Sequence, residues 1–138
     1  KLYFCLLIKI LINMYWYKRV ILYYFQFTGR SRRKEFWMFT LFNIPFLLTA
    51  ILLDNLLGTT SPNLELPIGF LTISYYCFIF IPSMSVSIRR LHDIGKSGWY
   101  YIISFIPFVG GILMIVAMCI EGQPHTNQWG TNPKEEED

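Results

Sequence analysis

The sequence predicts an all-α integral membrane protein, an N-terminal interfacial helix followed by three transmembrane helices, on three observations. Of 138 residues, 54% are hydrophobic, 18% aromatic and only 15% charged, too apolar for a small soluble domain with much surface to wet. Two apolar runs, 67–88 and 99–120, flank the polar block Arg89-Arg90-Leu91-His92-Asp93-Ile94-Gly95-Lys96-Ser97-Gly98-Trp99, and each is long enough to cross a hydrocarbon core of about 30 Å. Eleven of the twelve Lys and Arg lie before residue 35 or between 89 and 96, so two crossings gather nearly all the positive charge on one face.

Residues 1–13 form a short apolar tract interrupted by Lys9, too short for a span and without a small-residue cleavage site. They read as a non-native or upstream extension, with Met14 as the start. The stretch 14–27 mixes Tyr15, Trp16, Tyr17, Tyr23 and Tyr24 with Lys18 and Arg19, a composition that prefers the headgroup layer and predicts a helix lying on the membrane. A basic segment, 28–35, then anchors the first span at 36–53, with Trp37 as its interfacial aromatic. Asp54, Asn55 and Gly58 mark the far end of that span. The link 59–65 has turn formers and no base, as suits the outer face. Pro67 stands where a first helical turn tolerates proline, and the second span, 67–88, returns the chain to the basic side.

The third segment, 99–120, has two readings. A full crossing puts the tail outside; a re-entrant hairpin bent at Pro107 or Gly110-Gly111 returns it to the basic face. The length of the apolar run favours the crossing. The domain is then a single membrane unit, 14–133, with an acidic end at 134–138, and the positive-inside bias places the N-terminus in the cytoplasm. Pro45, Pro82 and Pro107 stand at similar distances from the basic side. Each frees a carbonyl four residues earlier, on Leu41, Phe78 and Ile103; the prolines are either three unrelated kinks, which membrane helices tolerate, or three kinks at one depth that open a vestibule.

The charged residues admit several chemistries, most of which the spacing disfavours. His92 and Asp93 are adjacent, about 100° apart on a helix, so Asp93 cannot orient His92 as in a catalytic triad. Ser97, flanked by glycine, reads as a turn former. Cys5, Cys77 and Cys119 sit in apolar runs without pairing spacing, and His92 and His125 fall on opposite faces of a three-span topology, so no metal and no cofactor is expected. Gly95 and Gly98 bracket Lys96-Ser97 as an anion nest would, without the spacing of a P-loop. The net charge of +3 sits on span flanks instead of one aromatic-interleaved face, which excludes nucleic acid as a partner.

What survives is an interfacial cluster. If the second helix continues past the surface, Arg89, His92, Asp93 and Lys96 form one stripe, facing Arg30, Arg33 and Glu35 on the same side. Glu35 should then be held by Arg89 or Arg90, and Asp93 by Arg30 or Arg33. Together with Arg90 these residues make a candidate site for a lipid head group, since guanidinium planes at that depth suit phosphate. The expected partners are the bilayer itself, an anionic lipid and a second copy of the chain. The alternatives are a small transporter, for which only Asn43, Ser74 and Ser104 are polar at mid-depth, and a lipid head-group enzyme using His92.

Several motifs give the chain a family resemblance over residues 14–133. Met14-Tyr15-Trp16-Tyr17 resembles the opening of the bacterial inner-membrane family catalogued as domain of unknown function 805. Gly29-Arg30-Ser31-Arg32-Arg33-Lys34-Glu35-Phe36-Trp37 is similar to its first basic motif. Ile81-Pro82-Ser83 followed by residues 89–99 is similar to its most specific one. Ile106-Pro107-Phe108-Val109-Gly110, then Gly122-Gln123-Pro124 and Asn127-Gln128-Trp129-Gly130-Thr131-Asn132-Pro133, resemble its last. His125, Trp129 and Asn132 depart from that pattern. The resemblance implies structural roles for Gly29, Trp37, Pro82, Gly95, Ser97, Gly98, Trp99, Pro107, Gly110, Asn127, Trp129, Gly130 and Pro133, and a bacterial inner-membrane location; it implies no activity.

Overall fold

A computed structural model describes residues 14–60 and 68–135. The expectations for residues 1–13, for most of the outer link and for the last acidic residues lie outside the described residues. Helix α1 covers residues 14–22, and it is followed by α2 (Arg33–Leu57), α3 (Phe70–Asp93), a 3-10 helix (Gly98–Phe105) and α4 (Val109–Cys119).

α2 and α3 are the spans. Their 25 and 24 residues reach about 37 and 36 Å at the helical rise, more than the hydrocarbon core requires. Only 6% of the most apolar stretch of α2 is buried inside the protein. A soluble core helix would hide that surface from water; here Leu41, Ile44, Phe46, Leu48, Leu52 and Leu56 face outward and are stable there only in lipid. The helix exceeds the expected span of 36–53 at both ends, because Glu35 and Asp54 are themselves buried and continue the helix into polar surroundings.

α1 is the expected N-terminal helix, ending at residue 22 where the chain turns. Its apolar side packs on the spans: Val20 joins Phe39, Ile79 and Val86 in a buried cluster, and Tyr17 stacks on Phe39 at 5.4 Å. Its exposed Lys18 points away from that core.

The third segment takes the re-entrant form, which corrects the expected continuous helix over 99–120. The 3-10 helix descends beside α3 and α4 climbs back, each about 16 Å long, half the core thickness. A turn at Phe108 (φ 64°, ψ −50°) separates the two arms, with Val109 N donating to Pro107 O at 2.8 Å. This is a classic-type γ-turn, a strained geometry for a non-glycine residue. Non-helical backbone at this depth needs partners for its polar groups, and three lie within the turn's own bonding: Ile106 N donates to Ile103 O at 3.0 Å and Gly110 N to Ile106 O at 2.9 Å, while Pro107 has no N–H to satisfy. Gly110 permits the close approach of the arms, since a Cβ there would lie 2.1 Å from Ile103 O.

The vestibule is also corrected. Pro82 is buried, whereas Pro45 and Pro107 are exposed, so the three prolines do not line one cavity. The carbonyl freed by Pro82 is satisfied, because the Tyr24 hydroxyl donates to Phe78 O at 2.6 Å. At the far end of the bundle, Asp54 accepts from Leu71 N at 3.0 Å and Thr72 N at 2.7 Å, and from the hydroxyls of Thr59 and Thr72. A carboxylate from α2 thus caps the open amides of α3.

A hairpin, unlike a span, returns the tail to the face from which the third segment started. Single cysteines at Ser97 and Thr126, made without Cys5, Cys77 and Cys119, should therefore react with an impermeant thiol reagent from the same side, and a cysteine at Thr60 from the opposite side. Labelling of Ser97→Cys and Thr126→Cys from opposite sides would restore the third span.

Candidate functional site

Among the described residues, four guanidiniums and two carboxylates drawn from four parts of the chain close the basic end of the bundle. Arg30 lies in the loop before α2, Glu35 in the first turn of α2, Arg89, Arg90 and Asp93 in the last turns of α3, and Arg19 on α1. Arg30, Glu35, Arg89, Arg90 and Asp93 are all buried. α3 ends at Asp93 because Gly95 takes a positive φ of 78°, reversing the chain so that Lys96 N donates to Leu91 O at 2.9 Å.

Asp93 joins two of these arginines. Its Oδ1 accepts from Arg30 Nε at 2.9 Å and lies 2.9 Å from Arg30 Nη2; its Oδ2 accepts from Arg90 Nη1. Arg30 spends its remaining donors on the tail, from Nη1 to His125 O at 2.8 Å and Gly130 O at 3.3 Å, and from Nη2 to Gln123 O. Arg90 Nη2 donates to Ile120 O, Arg33 Nη1 to Cys119 O and Arg32 Nε to Pro133 O. Bidentate, planar guanidinium geometry makes arginine fit this task where lysine would not. Residues 119–133 are thereby stitched to the basic face through their carbonyls.

Glu35 pairs with Arg89 Nη1 at 3.0 Å and more loosely with Arg19 Nε at 3.9 Å. The two expected cross-motif pairings, Glu35 with Arg89 and Asp93 with Arg30, are both present. Arg19 lies over the Trp16 and Tyr23 rings at 5.8 and 5.9 Å, and Arg89 over Tyr23 at 5.4 Å. Arg89 Nε and Nη2 and Arg90 Nε have no hydrogen-bond partner although buried.

His92 Nδ1 lies 3.1 Å from Gly29 O, and the ring stacks on Trp129 with centroids 4.6 Å apart and planes 6° apart. Asn127 Nδ2 donates to His92 O at 2.9 Å and Asn127 Oδ1 accepts from Trp129 N at 3.0 Å, which holds the indole in place. Both Asp93 oxygens serve arginines, so the Asp93 carboxylate is not a partner of the His92 ring. Ser97 accepts from Trp99 N at 3.4 Å as the cap of the 3-10 helix, a turn role. No group of three His, Cys, Asp or Glu able to hold a metal occurs among the described residues.

Three expectations change. Lys96 leaves the stripe, because the helix stops at Asp93, and its ammonium lies over the Tyr100 ring at 5.8 Å. Arg33 stays at the surface, 3.1 Å from Glu121, outside the buried group. His125 lies on the same face as His92, since the tail returns. Sequence reasoning missed Arg19, whose signal was its i, i−3 and i+4 spacing from Trp16 and Tyr23, and the tail carbonyls, for which no side chain gives a signal.

Several cavities open at this end among the described residues. A small polar one of about 180 Å³ is bounded by Arg19, Tyr23, Arg30, Arg89, Trp129 and Thr131. A larger groove of about 760 Å³ runs between Arg32, Arg33, Lys34 and the tail residues Glu121 and Lys134. An apolar groove of about 510 Å³ descends between α3 and the 3-10 helix, lined by Met84, Ile88, Ile102 and Phe105 with His92 and Trp99.

Residues 24–131 match the family described as Protein of unknown function (DUF805). The chain is 43% identical over 121 residues to Inner membrane protein YhaH of Escherichia coli K12, covering 88% of this chain and 98% of that protein. It is 40% identical over 121 residues to Inner membrane protein YhaI of the same organism, covering 88% and 97%. No solved structure matches the chain.

The Glu35–Arg89 pair is nearly inaccessible, with side-chain exposures of 1% and 3%, so breaking it strands a charge. A double-mutant cycle with Glu35→Gln and Arg89→Gln should give a coupling of about 1 to 3 kcal/mol in detergent unfolding, whereas Glu121→Gln, at an exposed pair, should leave stability unchanged. Zero coupling would mean that the two motifs do not meet.

Proposed function

This chain belongs to the DUF805 family, and on that premise we propose that it is a non-enzymatic membrane module whose basic end faces the cytoplasm and binds anionic lipid. The observation that carries this reading is the juxtaposition of an arginine-rich cluster with an apolar groove at one end of the bundle. An anionic amphiphile needs both: cations at the level of its head group and an apolar furrow for its chain. The cytoplasmic orientation follows from the basic-residue bias, which the return of the tail leaves intact because Lys134 joins the same face.

The rival readings find less support. At mid-depth the Tyr75 hydroxyl donates to Asn43 Oδ1, and Ser74 bonds its own helix at Phe70 O; polar groups that satisfy one another leave little for a permeating solute. An enzyme using His92 would need a nucleophile or acid held beside the ring, whereas the ring's hydrogen bond and stacking go to Gly29 O and Trp129, and Ser97 beside it caps the 3-10 helix.

Native mass spectrometry of the protein released from vesicles of phosphatidylethanolamine with one-fifth phosphatidylglycerol tests the reading. It should show the anionic lipid retained in clear excess over its share of the bilayer, and any self-association appears in the same spectra. Retention in proportion to bulk composition would overturn the proposal.

A further inference from the structure

We infer that the apolar groove between α3 and the 3-10 helix binds a neutral lipid that carries a free hydroxyl, with that hydroxyl donating to His92 Nε2. The inference goes beyond the anionic-lipid reading, because the head recognised here bears no charge and needs none of the arginines.

The ring nitrogens decide what the ligand must offer. His92 is 7% exposed, and its Nδ1 lies 3.1 Å from Gly29 O. A carbonyl only accepts, so in the neutral ring Nδ1 carries the hydrogen and Nε2 keeps a lone pair. Nε2 makes no hydrogen bond among the described residues. Nor is it sealed off, unlike Arg89 Nε and Arg90 Nε. Gly98 shows where it points: a Cβ there would lie 3.3 Å from Nε2 and 2.9 Å from Ile88 Cγ2, and Gly98, Ile88 and His92 all line the groove. The missing side chain at Gly98 thus leaves a lone acceptor at the groove wall. Buried polar groups are normally satisfied, and an acceptor without a partner calls for a donor.

The groove sets the rest of the ligand. Among the described residues no charged side chain lines it, so an ammonium, phosphate or carboxylate seated at Nε2 would be desolvated without a counter-charge. A hydroxyl meets no such penalty. Met84, Ile88, Ile102 and Phe105 give apolar walls, and Met84 stands eight residues before His92, about 12 Å along the helix, so a tail runs inward from the imidazole. The volume of about 510 Å³ falls within the roughly 300–1,000 Å³ of small-molecule sites. The ring is also held in place: Trp129 stacks on it with planes 6° apart, and Asn127 Nδ2 donates to His92 O. The same donor is aliphatic in a diacylglycerol and phenolic in a long-chain alkylphenol, and the test separates the two.

The test uses the full chain in phosphatidylcholine nanodiscs at about pH 8, where an imidazole of ordinary pKa is neutral. These discs hold no anionic lipid, so this experiment and the phosphatidylglycerol experiment can fail independently. The chain has two histidines, and ¹⁵N-histidine NMR follows His92 with His125 as the reference. The unliganded ring should carry its hydrogen on Nδ1. Dioleoylglycerol should move the Nε2 resonance saturably, and its methyl ether should not; pentadecylphenol and its methyl ether are run beside them, and the hydroxyl compound retained more strongly in native mass spectra identifies the source. Gly98→Ala fills the space at Nε2 and leaves the imidazole in place, while His92→Phe keeps a stacking ring without the acceptor. Each should weaken retention about tenfold, the loss expected for one hydrogen bond at a buried group, whereas exposed Lys18→Gln should not. Melting curves check each fold, and Gly98→Ala with the ether comparison decides if His92→Phe does not fold. The inference is overturned if the unliganded ring carries its hydrogen on Nε2, if neither hydroxyl compound moves that resonance, if the ethers are retained as well as the hydroxyl compounds, or if folded Gly98→Ala retains them like the wild type.

Discussion

The Asp93 carboxylate is the interaction on which the rest of the structure depends. One oxygen is held by Arg30 and the other by Arg90, so a single side chain joins the loop before α2 to the last turn of α3. Through further donors of those arginines the carboxylate also governs the tail, whose carbonyls at Gln123, His125 and Gly130 accept from Arg30 and at Ile120 from Arg90. Backbone adds a further tie, Gln123 N donating to Asp93 O at 2.8 Å. Buried ion pairs contribute little net stability against an apolar replacement, because desolvation offsets attraction. Their value here lies in specifying one arrangement: only the hairpin form of the third segment brings 119–133 within reach of these donors.

The far end of the bundle solves a related problem with the opposite sign. α3 begins with open amides near the membrane surface, and Asp54 of α2 accepts two of them together with two threonine hydroxyls. α2 and α3 are thus tied at both ends by carboxylates, Asp54 at one and Glu35 with Arg89 at the other. Between them two exceptional polar groups are paired: the Phe78 carbonyl released by Pro82 goes to Tyr24, and Asn43 to Tyr75. In hydrocarbon, where water cannot substitute, such accounting is what permits proline and asparagine inside a span.

Much of this was legible in the sequence, for reasons that differ by element. The two spans follow from run length and hydropathy, which the bilayer imposes directly. The pairings of Glu35 with Arg89 and of Asp93 with Arg30 follow from topology plus the cost of an unpaired carboxylate at the membrane edge. The third segment was harder, because 22 apolar residues describe a crossing and a half-depth hairpin equally well. The signals that decide it, Pro107 where no donor is wanted and Gly110 where the arms touch, were visible but carry no weight until the return of the tail is known. The tail's role was hidden for a deeper reason: its ligands to arginine are backbone carbonyls, which every residue offers. Lys96 was misplaced because helical periodicity was extended through Gly95, where the chain turns.

The central claim, that one buried carboxylate pins the tail and the α2 loop to the basic face, is tested most directly by hydrogen–deuterium exchange of the protein in nanodiscs. The amides of Gln123 and Ser31, bonded to Asp93 O and Arg89 O, should be protected together in the wild type. In Asp93→Asn both should exchange faster, along with the rest of 121–133, while the interior of α2 keeps its protection. Fast exchange of 121–133 already in the wild type, or unchanged protection in Asp93→Asn, would contradict the account.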